Sequence, residues 1–436
     1  MSSLDLAVSI IGRLRQAGNV AYLTGGCVRD LLLGRSPKDF DVATSARPDE
    51  LLRLFPGAGQ VGAHFGVVLV REGDAQIEVA TFRSDLEYHD GRHPEGVSFE
   101  RDPRQDVLRR DFTINALLLN PESGEVLDFV DGRADLDAKL IRAIGDPELR
   151  FREDHLRMLR AVRFAARLGF EIEPETFAAI RRLAPAIQSV SAERVRDEIA
   201  RVLTEGGARR GFELLDATGL LAEVLPEVAA LKGVQQPPEF HPEGDVWTHT
   251  LIMLEGLGEP SITLALGVLL HDIGKPATFR VAERIRFDGH VEKGVEIAHS
   301  LLTRLRFSND VIEGVEALIA NHMKFMDVPR MRESTLKRFM RQRDFEEHMQ
   351  LHRLDCLSSH GGLENYDFVR RKQQEVPPEQ LKPAPLLTGR ELIAAGYRPG
   401  PAFGVVLSEI EDAQLEGRIS TAAEAMEMAR ARLDLN

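Results

Sequence analysis

Cysteine is nearly absent: the 436-residue chain holds only Cys27 and Cys356. Far apart and in no metal-binding spacing, they exclude a disulfide framework and a cysteine-ligated zinc finger, fit a reducing compartment, and are read as inert thiols. No apolar run approaches the roughly 18 residues of a membrane span. Positive charge is also short. Lys and Arg total 55 against 69 Asp and Glu, a formal charge of −14. Phosphate neutralisation supplies most non-specific nucleic-acid affinity, so this balance excludes an indiscriminate binder and confines any RNA contact to local basic patches. The N-terminal MSSLDLAVSIIGRLRQ has no basic n-region, and Leu6, Ile10 and Leu14 recur at helical spacing. That predicts an amphipathic helix rather than a signal peptide, with the cytoplasm as expected location and no membrane partner. Internal repeats and low-complexity tracts are missing too.

What is present is ordinary for a globular protein: 43% apolar and 28% charged residues. The length predicts two to four compact units. Over residues 1–145, β-rich runs at 20–24, 40–43, 66–71 and 76–82 alternate with short helical segments, one opened by Pro48, which reads as a small α/β domain. From 146 to 232 the pattern turns to Leu, Ala and Arg at helical spacing with no convincing strand. The stretch 233–244, GVQQPPEFHPEG, and the proline-rich 376–385 read as boundaries. Between them, 245–375 is helical and holds eight of the thirteen histidines. A short helical region, 376–436, follows.

Chemistry concentrates first in Tyr22-Leu-Thr-Gly-Gly-Cys-Val-Arg-Asp-Leu-Leu-Leu-Gly34, a strand, a glycine pair and a helix start, where backbone amides can approach a polyphosphate. Next comes Lys38-Asp-Phe-Asp-Val42. A strand through it puts Asp39 and Asp41 on one face with Phe40 and Val42 on the other, and paired hard oxygens suit Mg2+. In this order, GGxVRDxLLG followed by DxD resembles the head domain of the tRNA nucleotidyltransferase and bacterial poly(A) polymerase family. Arg109-Arg-Asp-Phe-Thr-Ile-Asn-Ala116, the acidic Gly-containing stretch 128–136, Glu153-Asp-His-Leu-Arg157 and Ser191-Ala-Glu-Arg-Val-Arg-Asp-Glu198 are similar to its later motifs.

The resemblance implies an α/β, polymerase-β-like nucleotidyltransferase head followed by an all-α neck, an HD-type helical domain and a helical tail. It also implies template-independent addition of C and A to the 3′ end of tRNA from CTP and ATP. Asp39 and Asp41 would bind two Mg2+ ions. Glu78 is either a third carboxylate or a solvent-facing strand residue. Gly25, Gly26, Arg29 and Arg110 would hold triphosphate and sugar. Asp154 and Arg157, three apart on a predicted helix, share a face and offer an acceptor and a forked donor. Cytosine and adenine both set an exocyclic amine beside a ring acceptor, whereas uracil and guanine set a carbonyl there. Arg160 and Arg163 continue that face towards triphosphate or base. The alternative is an ordinary Glu153–Arg157 surface pair beside a solvated arginine stripe. The stretch 83–106, with Tyr88-His-Asp-Gly-Arg-His-Pro-Glu95, resembles the family's flexible loop for the terminal adenosine. A poly(A) polymerase or an A-adding specialist is the alternative within the family.

His249, His271-Asp272, His290, His322 and Asp355 run in the order H…HD…H…H…D, and Leu269-Leu-His-Asp-Ile-Gly-Lys-Pro276 is similar to the signature of HD-superfamily phosphohydrolases. Such ligands suit Mn2+, Fe2+, Ni2+ or Co2+. His299, His348, His352 and His360 are read as structural. The tail, through Leu387-Thr-Gly-Arg-Glu-Leu392 and Gln414-Leu-Glu-Gly417, resembles the C-terminal helical part of HD-bearing members and is expected to touch RNA. The competing class is an HD phosphohydrolase whose inactive head only binds RNA. No obligate protein partner is expected.

Overall fold

The computed structural model describes residues 2–60, 66–85, 96–239 and 241–433. The chain forms two compact units, Met1–Ala229 with Arg304–Arg306, and Ala230–Thr303 with Phe307–Asn436.

The first unit begins as its sequence predicts. Helix Ser3–Gln16 opens on a capping box between Ser2 and Asp5 and buries Leu6, Ile10 and Leu14. Next is a seven-stranded sheet in the order Gly59–Gln60, Val67–Glu72, Ala75–Thr81, Asp41–Thr44, Ala21–Thr24, Leu118–Leu119, Val126–Leu127. All pairings are antiparallel except that of Asp41–Thr44 with Ala75–Thr81. The four predicted strands appear within a residue of their expected ends, and Pro48 opens helix Pro48–Leu54. Helices Pro147–Glu153, Leu156–Leu168, Pro174–Leu183, Ala192–Thr204 and Ala208–Ala217 follow. This region is not strictly all-helical, because Glu171–Ile172 pairs in parallel with Leu140–Ile141. Helix Leu156–Leu168 is the most buried, with ten of its thirteen residues inside, and it ends on Gly169 in the left-handed region.

The second unit packs Val246–Glu255, Ile262–Leu270, Asn309–Asn321 and Phe345–Ser358 together, with one small hairpin, Arg280–Val281 with Ile285–Arg286, as its departure from helix among the described residues. Its tail has its own apolar cluster: Leu387, Leu392, Val406, Ile410, Ala425 and Ala429. Among the described residues no helix is long and apolar enough to cross a membrane.

Candidate active site and a histidine-lined candidate metal centre

In the first unit nine of the eleven predicted residues, all but Asp39 and the exposed Glu78, line one cleft of about 540 Å³: Gly25, Gly26, Arg29, Asp41, Arg110, Asp154, Arg157, Arg160 and Arg163. Gly25 has φ +75, a left-handed conformation that glycine adopts without strain, while a Cβ there would make only an ordinary contact with Asp41 Oδ2 at 3.5 Å. Asp41 is the first residue of its strand and pairs in parallel register with Glu78, which brings the two carboxylates to one face of adjacent strands. Burial and the Glu78 charge raise Asp41 to about 6, against the pull of Arg110 and with a smaller push from Asp39. Asp39 itself corrects the strand argument. It lies exposed in the coil before strand Asp41–Thr44 and is not among the cleft-lining residues. The inside–outside alternation survives, since Phe40 and Val42 are buried.

Asp154 corrects the helix argument. Helix Pro147–Glu153 ends there, the backbone is extended at φ −151 and ψ 104, and the next helix starts at Leu156. Asp154 and Arg157 therefore meet the same cleft across a helix break, not along one face. Asp154 Oδ1 accepts from the Leu156 amide at 3.1 Å and Oδ2 from Arg194 Nη2 at 2.7 Å. Arg157 does pair with Glu153 at 2.6 Å, but its side chain is 11% exposed, so this is no surface pair. Its guanidinium also donates to the carbonyls of Arg150 and Arg109. Those bonds use three of its five N–H donors.

The remaining arginines are anchored rather than solvated. Arg160 donates twice to Asp111, at 2.9 and 2.6 Å, and Arg163 bonds Glu198 at 2.7 Å. Arg29, 2% exposed, is held by Asp30 and Asn115. Arg109 and Arg110 share the buried Asp106 carboxylate, which they hold below its ordinary range despite its burial. Phe164 lies under the guanidinium groups of Arg29, Arg160 and Arg163, at 5.3, 5.3 and 4.3 Å.

In the second unit, His249, His271 and Asp355 form one group of potential ligands and Asp272, His290 and His322 another. His271 and His322 cap the C-terminal ends of Ile262–Leu270 and Asn309–Asn321. Helix ends leave carbonyls without amide partners. The Nδ1 atoms of these two histidines take them, bonding the oxygens of Val268 at 2.9 Å and Ile319 at 2.7 Å. His290 bonds the Phe287 carbonyl in the same way. Each ring thus has its proton on Nδ1 and its lone pair on Nε2. All four Nε2 atoms, His249 included, are buried without a well-directed hydrogen bond, those of His249 and His271 facing carboxylate oxygens of Asp355 and Asp272 at 3.2 and 3.1 Å. Buried polar atoms are normally satisfied. Four such atoms beside Asp272 and Asp355 fit a divalent cation, the donor set the sequence singled out. Burial opposes the charge on His249, yet Asp355 and Glu243 raise it to about 9. His322 falls to about 4, through burial and the neighbouring His271. A cleft of about 730 Å³ opens over Asp272, His290, His322 and Asp355, and Lys275, Arg284 and Arg286 line it.

Residues 21–142 match the family description "Poly A polymerase head domain", 169–232 "Probable RNA and SrmB- binding site of polymerase A", and 245–357 "HD domain". A CCA-adding enzyme of Streptococcus pneumoniae serotype 19F (strain G54) is 31% identical over 435 residues, covering 98% of this chain and 96% of its own length. The chain belongs to the CCA-adding enzyme family. The Geobacillus stearothermophilus CCA-adding enzyme is 45% identical over 223 residues, 51% of this chain and 55% of that protein. The crystal structure of the Bacillus stearothermophilus CCA-adding enzyme in complex with CTP superposes with a TM-score of 0.76 at 27% identity, covering all of both chains.

Within this CCA-adding enzyme family member, sequence reasoning passed over Asp106, Asp111, Asn115 and Phe164 as supports of the arginine wall. The first three stand in or beside the Arg109–Ala116 motif, so the signal was available. It also read 233–244 only as a boundary, although Gln236, His241 and Glu243 from it enter the second unit's polar network. Two of the four histidines assigned to structure differ from that reading. His299 is 61% exposed in its side chain and paired with Glu316, and His360 is an exposed residue lining the larger cleft. Cys27 and Cys356 are buried thiols, and burial raises them to about 11 and 12. Residues 86–95, the core of the stretch compared with the adenosine loop, lie outside the described residues.

Proposed function

We propose that this protein extends the 3′ end of tRNA by C, C and A, from CTP and ATP and without a template, in the cleft of its first unit. The observation that carries the reading is the register pairing of Asp41 with Glu78 beside a wall of anchored arginines, within a chain similar along its whole length to CCA-adding enzymes. Asp39, Asp41 and Glu78 hold Mg2+, which when bound supplies hydroxyl activation and charge neutralisation for in-line phosphoryl transfer. Gly25 and Gly26 let the triphosphate close on the backbone, while Arg29 and Arg110 set the positive potential that receives it. Asp154 accepts from the exocyclic amine of C or A, Arg157 donates to the adjacent ring nitrogen, and Arg160 and Arg163 extend the charge along the nucleotide. The division is 1–145 as head, 146–232 as selecting neck, 245–375 as HD domain and 376–436 as an RNA-contacting tail. Asp39→Ala or Asp41→Ala abolishes CTP and ATP incorporation into tRNA lacking CCA while the far-UV spectrum is retained. Sequencing the products made with all four NTPs distinguishes CCA from poly(A) or A alone. Substantial incorporation by either variant removes the carboxylate assignment.

The second unit supports a further activity. Nε2 of His249, His271, His290 and His322 with Asp272 and Asp355 would bind a transition metal, Mn2+, Fe2+, Ni2+ or Co2+, and the cleft above them, where Lys275, Arg284 and Arg286 face Glu239, Asp272, Asp288 and Asp355, would receive a phosphate ester or cyclic phosphate for hydrolysis through those three cations and the metal.

A further inference from the structure

Three of the four cluster histidines are aimed by main-chain carbonyls, and His249 is aimed by a carboxylate. Its Nδ1 bonds Glu243 Oε1 at 2.7 Å, and the same oxygen accepts from His241 Nδ1 at 2.9 Å. Glu243 belongs to no helix. It comes from the proline-rich stretch 233–244, yet its side chain is only 7% exposed. Burying a carboxylate is costly unless it is paired, and both donors converge on one oxygen while Oε2 has no partner. Ser358 Oγ stands 3.3 Å from the same His249 nitrogen.

We propose that Glu243 is a positioning residue for the histidine-lined centre. It holds His249 through the proton on Nδ1 and turns Nε2 towards the cluster, 3.2 Å from Asp355 Oδ1, so that a metal ion displaces the proton the carboxylates favour on Nε2, and it strengthens that ring as a metal donor. This rests on the metal reading of the cluster. A full negative charge on the acceptor makes the imidazole more basic than a carbonyl does, and such outer partners typically change metal affinity by about 10- to 100-fold. His241, Glu243 and His249 also lie close enough together to hold a cation of their own. The two short N–H···O distances argue otherwise, because a nitrogen lone pair cannot carry a proton and a metal at once. His241 is then the second arm of the clamp, sharing the carboxylate without donating to metal.

Co2+ titration of the full chain, stripped with chelator and followed by visible absorption and equilibrium dialysis, tests this. Glu243→Ala weakens the apparent Kd by about 10- to 100-fold. Glu243→Gln, which keeps an acceptor oxygen but not the charge, loses less than Glu243→Ala and more than nothing. His241→Ala stays within a few-fold of wild type, because Glu243 still holds His249. CTP incorporation by all three is unchanged, showing that the rest of the chain is intact. Wild-type affinity in both Glu243 variants overturns the positioning role alone. A loss in His241→Ala as large as in Glu243→Ala also overturns it, and makes His241 a ligand. Absence of Co2+ uptake by the wild-type chain overturns the proposal together with the metal reading beneath it.

Discussion

Asp154 sits where two helices part, and its two oxygens are each already engaged once. Carboxylate oxygens accept more than one bond, so the Leu156 amide and Arg194 orient Asp154 without consuming its capacity for a base amine. Losing a good bidentate base contact costs about 1–3 kcal/mol of discrimination, roughly five- to more than a hundred-fold. Asp154→Ala should therefore relax rejection of UTP and GTP by that factor, measured as kcat/KM for each NTP on tRNA ending at the discriminator base and on tRNA ending in CC. One common slowing of all four nucleotides would make the residue structural. Asp41 gives a pH prediction. A carboxylate whose folded pKa exceeds its unfolded value stabilises the fold below the unfolded value and loses that contribution as pH rises through the folded one. Asp41 goes from 3.8 to about 6, so in chelator the metal-free protein carries a penalty of up to about 3 kcal/mol above pH 6. Asp41→Asn should unfold at higher denaturant than wild type at pH 8 without metal, and the gap should close between pH 6 and pH 4. A gap that stays constant with pH would contradict this.

Elements whose ends are set by local signals were legible. Pro48 at a helix start and the four β-rich runs marked elements to within a residue, and Leu6, Ile10 and Leu14 at helical spacing marked the buried face of the first helix. The break at Asp154 was not, because Glu153-Asp-His-Leu-Arg157 holds no glycine or proline, and charged residues at i, i+4 spacing read as continuous helix. Asp39 was misplaced for a related reason: period-two alternation continues into the coil beside a strand, so pattern alone cannot mark where hydrogen bonding starts. Gly274, within the quoted Leu269–Pro276 signature, shows a constraint that sequence names but cannot explain. A Cβ there would stand 2.1 Å from the His290 carbonyl oxygen and 2.6 Å from the Gly294 amide nitrogen. Helix His290–Arg304, which begins with a cluster histidine, must back away if that atom is added. Gly274→Ala should cost about 1–3 kcal/mol by overpacking and weaken Co2+ binding, read by thermal melting and by the Co2+ spectrum. Unchanged values in both would show that the helix start yields without consequence.

Across the whole molecule, each compact unit contains its own cleft and its own reactive constellation. His271→Ala with Asp272→Ala should abolish metal uptake and any 2′,3′-cyclic phosphate hydrolysis while nucleotide addition continues, and an outright stop in addition would show that the sites are not separable. The charge of −14 is offset locally, because the head cleft gathers Arg109, Arg110, Arg157, Arg160, Arg163 and Arg194, as the deficit of positive charge demanded. At this scale the clustering of His249, His271, Asp272, His290, His322 and Asp355 was readable, because their residue types and order are restricted. The clamp on His249 was not, since proline and glycine in 233–244 signal irregular backbone without saying what that backbone carries.

The spacing of these residues along the chain has a consequence in time. Every residue lining the head cleft precedes residue 202, whereas the histidine cluster is incomplete until Asp355 has been made. At about 5–20 residues per second of synthesis, roughly 8–30 s separate the two events, with N-terminal domains generally folding first. A nascent chain therefore carries a complete nucleotide cleft while the histidines 249, 271, 290 and 322 still wait for their last carboxylate. During that interval the cluster lacks Asp355, which on the metal reading proposed above would be the last ligand to arrive.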